Sequence, residues 1–172
     1  MLHLVEPAPL YKAAILDGVA EMQASGEWDV SPEAFAARFD EMLRELAAAK
    51  DPATTPPGVV PYEDFWMMDD DIWIGLLTLR LQLTEELLHA GGHIGYVIRP
   101  SKRRCGYGTA LLRLGLDKAR ERGLSRVLLT CNESNIGSRK IIEANGGQFE
   151  NAVVVEGQAD KKLRYWISLD AP

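Results

Sequence analysis

The chain has 172 residues, 47% of them hydrophobic and 26% charged, and a formal net charge of −6. That is enough to bury one core without staples, while two cysteines, Cys105 and Cys131, are too few for a disulfide framework. With no apolar run of about 20 residues and no leader pattern after Met1, a cytoplasmic protein with no membrane partner is expected; the acidic total and the lack of a basic, aromatic-interleaved stripe disfavour nucleic acid.

A short apolar strand is expected at residues 2–5. Pro7 and Pro9 then lead into a helix that carries Ile15, Leu16, Val19 and Met22 on one face and stops at Ser25-Gly26. Ser31 is a good N-cap with Pro32 at the first helical position, and Phe35, Phe39, Met42, Leu43 and Leu46 extend a second amphipathic helix to about Lys50. The proline-rich stretch 51–61 reads as an internal loop long enough to border a binding site. Residues 65–68 and 72–83 read as strands around the acidic turn Asp69-Asp70-Asp71, and 84–90 as one helical turn before Gly91-Gly92.

A strand at 93–98 is ended by Pro100. A helix at 106–122 turns Leu111, Leu112, Leu116 and Ala119 to the core and is capped by Gly123. A strand at 126–131, a helix at 135–145 and strands at 148–156 and 163–169 complete a chain without internal repeats. Strands and helices in this order imply a mixed α/β sheet with helices on its faces and one domain over 1–172, of which 92–147 is the core. Residues 1–86 hold 5 basic and 17 acidic side chains and 87–172 hold 14 and 8, so an anionic ligand is favoured at the C-terminal half and a cationic one at the N-terminal half.

The densest chemistry lies between the strand at 93–98 and the helix at 106–122. Arg99, Lys102, Arg103 and Arg104 stand before Cys105-Gly106-Tyr107-Gly108-Thr109. A helix start offers unpaired N–H groups and the positive end of the macrodipole, glycines let backbone approach a phosphate, and Arg103 and Arg104 can add charge-assisted bonds. A P-loop would need a lysine before Thr109, and a dinucleotide fingerprint a glycine or alanine where Leu111 stands, so both fit worse.

The segment Arg103-Arg104-Cys105-Gly106-Tyr107-Gly108 resembles the Arg/Gln-x-x-Gly-x-Gly/Ala signature of the GCN5-related N-acetyltransferase (GNAT) superfamily. The likeness extends over residues 62–169 in element order and spacing, and the strand 94–100 resembles that of a bacterial branch. It implies a GNAT-type, mostly antiparallel twisted sheet flanked by helices, with residues 1–50 as the helical acceptor side. It also implies acetyl-CoA as cosubstrate, held by backbone at Tyr96 and Ile98, by the stretch Arg103, Arg104, Cys105, Gly106, Tyr107, Gly108 and Thr109, and by Asn135 and Ser138. A backbone N–H near Ile98 would stabilise the oxyanion. The implied reaction is direct attack by a primary amine, on a small cationic molecule, in a ternary complex; homodimers are common in the superfamily.

One departure is clear: the tyrosine that often protonates the leaving thiolate is replaced by Ile142. His93 is a candidate base, although a lone strand histidine is more often structural. Glu85, Glu86 and Glu133 read mainly as solvated, and Cys131 as a small buried hydrophobe. Tyr107 fits either packing over the cofactor or surface exposure. Trp66, Trp73, Met67 and Met68 are explained by the core more cheaply than by an acceptor pocket. The consecutive carboxylates of Asp69–71 diverge, so no metal site is expected. A non-catalytic acyl-CoA sensor and a nucleotide-binding regulatory domain are the competing readings.

Overall fold

A computed structural model describes residues 1–170; the last two positions of the expected domain lie outside the described residues. β1 (Leu2–Val5), β2 (Tyr62–Asp69), β3 (Ile72–Arg80) and β4 (Ile94–Ile98) form one sheet in that order; β5 (Arg126–Asn132), β7 (Lys162–Ser168) and β6 (Gln148–Val153) form a second. Every pairing is antiparallel. The helices are α1 (Lys12–Ala24), α2 (Pro32–Ala37), α3 (Phe39–Ala48), α4 (Tyr107–Glu121) and α5 (Ile136–Ala144). Among the described residues no helix is long and apolar enough to cross a membrane.

The helix expected from Ser31 to about Lys50 is two helices. Ser31 caps the first, its Oγ accepting from Ala34 N–H at 3.2 Å, but Arg38 leaves the helical region at φ −101°, ψ 5°. The Phe35 and Phe39 rings meet at 6.1 Å across the break, and Phe39 packs against Trp66 at 6.2 Å. Burying that ring outweighs an unbroken apolar stripe. β3 stops at Arg80 and β6 at Val153, both short of their apolar patterns, and residues 87–91 form a wide turn closed by Gly92 N–H on Leu87 O.

Alternation along β2–β4 divides the core in two. Phe65, Met67, Leu77, Leu79, Ile94 and Ile98 face Leu111, Leu112, Leu116 and Ala119 of α4; Trp66, Met68 and Trp73 face Ile15, Val19, Met22 and Phe39. Register slips between Met67, opposite Gly75, and Met68, opposite Trp73, so that Trp73 and Leu77 fill opposite layers. The tryptophans and the Met67-Met68 pair are core residues.

The two sheets are hydrogen-bonded at the start of β4. His93 N–H donates to Leu128 O at 2.8 Å, and Leu128 N–H donates to His93 Nδ1 at 2.9 Å, with the ring edge-on to Trp166. Arg80 N–H bonds His93 O and Arg99 N–H bonds Ile74 O, so odd-numbered residues of β4 bond β3. The backbone groups of Tyr96 and Ile98 therefore point away from β3, toward β5. Beyond His93 the two strands part and leave that edge open.

Burial, aided by Arg126, holds the His93 pKa below its ordinary 6.5. The unfolded chain therefore binds this proton more readily, and the stability that His93 contributes is whole above about pH 6.5 and fades as pH falls toward the lower native value. We expect His93→Asn to flatten the pH dependence of the urea midpoint in that window; an unchanged profile would show that the imidazole does not carry the clip.

Candidate active site

The open edge of β4 leads directly into the start of α4. The chain rises through a short turn at Pro100–Lys102, and Arg104 and Gly106 then take left-handed conformations at φ 60° and 84°. Gly106 is the N-cap without a side-chain hydrogen bond, and the first helical bond runs from Ala110 N–H to Gly106 O. The N–H groups of Tyr107, Gly108 and Thr109 have no acceptor within the helix, which makes an anion cradle at the positive end of the macrodipole. Opposite stands the first turn of α5, where Asn135 Oδ1 accepts from Ser138 N–H at 2.9 Å.

Between them lies a cleft of about 790 Å³. Tyr96, Ile98, Arg103, Arg104, Gly106, Gly108, Thr109, Asn135 and Ser138 all line it. The Tyr96 hydroxyl lies 2.8 Å from Ser138 Oγ, and burial pushes the phenol up to about 12. It stays neutral through the physiological range.

A family model described as an acetyltransferase (GNAT) domain matches residues 6–148. The chain belongs to the GNAT acetyltransferase family. Solved structures of similar fold include Mycobacterium smegmatis RimJ in complex with CoA-disulfide, at TM-score 0.72 and 20% identity over 97% of this chain and 81% of that one. RimL, a ribosomal L7/L12 alpha-N-protein acetyltransferase, in complex with coenzyme A gives 0.68 and 17% over 99% and 96%. The spermidine/spermine N-acetyltransferase SpeG from Vibrio cholerae gives 0.65 and 17% over 98% and 95%. No curated protein sequence matches the chain. Membership makes the protein an acetyl-CoA-dependent N-acetyltransferase, with acetyl-CoA as cosubstrate.

Several expected residues of this GNAT site are engaged by other protein groups or stand outside the cleft. Arg103, expected at the phosphates, is committed to protein: its Nε donates to Ile98 O at 2.9 Å, and Nη1 and Nη2 grip Glu27 at 2.6 and 2.8 Å. That bidentate pair lowers the Glu27 pKa. Among the described residues Arg104 and Lys140, both on the cleft wall, make no ion pair and are its available cations. Cys105 is exposed and turned back to Arg103 O, and the Tyr107 hydroxyl reaches Asp69 at 3.1 Å; neither lines the cleft. His93 is buried at the clip with Nδ1 occupied, away from the cleft. Glu85, Glu86 and Glu133 are exposed, Cys131 is buried with its thiol pushed up by desolvation, and Ile142 is in the core.

Lys140, Glu27 and the Tyr96 phenol escaped the sequence reading. Lys140 follows Asn135 by a little more than one helical turn, a spacing that could have placed it on the cleft side. Nothing local announces Glu27, which arrives from the loop after α1.

Gly108 has a packing reason beside the one its motif suggests. A Cβ there would stand 2.5 Å from Ile141 Cδ1, so this glycine lets α4 and α5 close on each other, while Gly106, with open space around it, is the one that needs positive φ. Gly108→Leu is expected to lose about 1–3 kcal/mol by overpacking, and Ile141→Ala in the same chain to restore part of it. Urea denaturation checks this; a Gly108→Leu protein as stable as the parent would contradict the packing.

Proposed function

We propose that the protein transfers acetyl from acetyl-CoA to a primary amine of a small cationic molecule, by direct attack while both are bound. The observation that carries this reading is the single continuous cleft joining the unpaired amides at 107–109 to the free backbone edge at Tyr96 and Ile98. An extended arm can pair with that edge as an added strand would, and the phosphates have the helix start and Arg104 within the same wall. Gly106, Gly108, Thr109, Asn135 and Ser138 border this path.

The reaction forms a C–N bond and breaks the thioester C–S bond, so the carbonyl oxygen gains charge, the attacking nitrogen releases a proton to water in the open cleft, and the departing thiolate takes one up. The outward N–H of Ile98 is placed to donate to the oxyanion. The Tyr96 phenol, on the cleft wall and held 2.8 Å from Ser138 Oγ, is the proton donor placed nearest this path, in a chain where Ile142 takes the position of the usual tyrosine of α5.

Thiol release by a panel of primary amines tests the reading. Amine-stimulated release of CoA is expected, whereas tight acetyl-CoA binding with no release by any amine would favour the acyl-CoA sensor. Tyr96→Phe should lower kcat by about 100-fold or more while leaving acetyl-CoA affinity unchanged; an unaltered kcat would remove the phenol from the mechanism.

A further inference from the structure

A second cavity of about 470 Å³ opens on the other face of the β1–β4 sheet, the face covered by α1–α3. The loop at residues 58–60 borders it, and Tyr62, Asp64, Thr78, Arg80, Thr84 and Glu86 contribute side chains. At its floor Thr78 Oγ1 donates to Asp64 Oδ1 at 2.6 Å. Among the described residues no other hydrogen bond reaches this carboxylate and no ion pair neutralises it; Arg80, its cationic neighbour, directs Nη1 to Gly92 O at 3.3 Å.

This carboxylate stands out against its neighbours in sequence. Four acids of the first half are spent on arginines of the second: Asp17 and Glu21 on Arg99, Glu27 on Arg103, Glu63 on Arg122. Asp64 is half-buried and lacks such a partner, and desolvation raises its pKa accordingly. An ammonium entering the cavity would supply the missing counter-charge.

The cavity lies two strands away from the acetyl-CoA cleft on the same sheet. Asp64 pairs with Thr78 and Thr78 with Gly95, so the three lie in one row across β2, β3 and β4. Gly95 shares its face with Val97, which lines the cleft. A Cβ built on Gly95 meets nothing within 4 Å. The face of β4 is therefore open at Gly95. Two strand spacings, about 10 Å, separate β2 from the edge of β4.

We infer that this cavity is the acceptor's second subsite, in which Asp64 holds a cationic group of a diamine or polyamine while its other nitrogen crosses Gly95 to the β4 edge. The inference rests on the acetyl-transfer reading above and specifies its acceptor. A peptide N-terminus has no requirement for a positive group at this distance.

The test compares pentylamine with 1,5-diaminopentane and spermidine in the thiol-release assay, beside calorimetric titration of spermidine onto the protein. Asp64→Asn, nearly isosteric, should raise KM for the two polycations by about tenfold or more, leave KM for pentylamine unchanged and weaken spermidine binding. Gly95→Leu should stop spermidine turnover while spermidine still binds and acetyl-CoA affinity holds. Equal effects of Asp64→Asn on monoamine and polyamines, spermidine binding indifferent to Asp64, or a preference for peptide N-termini that ignores Asp64 would overturn the assignment. Should no amine be acetylated, the transfer reading fails, and the spermidine titration of Asp64→Asn alone decides the subsite.

Discussion

Past His93 the backbone of β4 meets no strand on one side, and the architecture of the site depends on that parting. Two hydrogen bonds at His93 and Leu128, one through backbone and one through the imidazole, join the sheets at one end of the gap. Had pairing continued, Tyr96 and Ile98 would have spent their outward groups on β5. Unpaired backbone normally costs stability or invites aggregation. Here it lies within a cleft, beside the start of α4 with its own unpaired amides, and one bound molecule can satisfy both.

Charge holds the acceptor side against this cleft. Arg99, whose side chain is 7% exposed, binds Trp73 O, Asp17 at 2.7 Å and Glu21 at 3.1 Å. Glu21 also accepts from Ser101 N–H, and the arginine holds its carboxylate down at about 2. Arg103 and Glu27 repeat the link one turn further on. The opposite charges of the two halves thus work first as mortar between α1 and the loop before α4, while Asp64, and Arg104 with Lys140, line cavities without an ion-pair partner among the described residues.

Much of this was legible in the residues. Ser31, Asn135 and the bare helix start at Gly106 follow from local stereochemistry, and local rules suffice to find them. Long-range partners are another matter. Arg103 looks like a phosphate ligand until Glu27, remote in sequence, claims it, and the contact of Ile141 on Gly108 emerges only once α5 is in place. The break at Arg38 is invisible in an apolar periodicity that runs through it, because the burial of Phe39 against Trp66 decides it. His93 reads as a possible base on its strand, and its occupation by Leu128 emerges only once the second sheet is in place.

The central claim is that the free edge of β4 and the amides opening α4 form one cofactor cleft. Calorimetric titration with acetyl-CoA, CoA, ATP and NAD addresses it most directly. The account predicts selective binding of acetyl-CoA and CoA, since only a ligand with both a pyrophosphate and an extended amide-bearing arm satisfies both surfaces. Preference for ATP or NAD, or no binding of either CoA species by the folded protein, would contradict it.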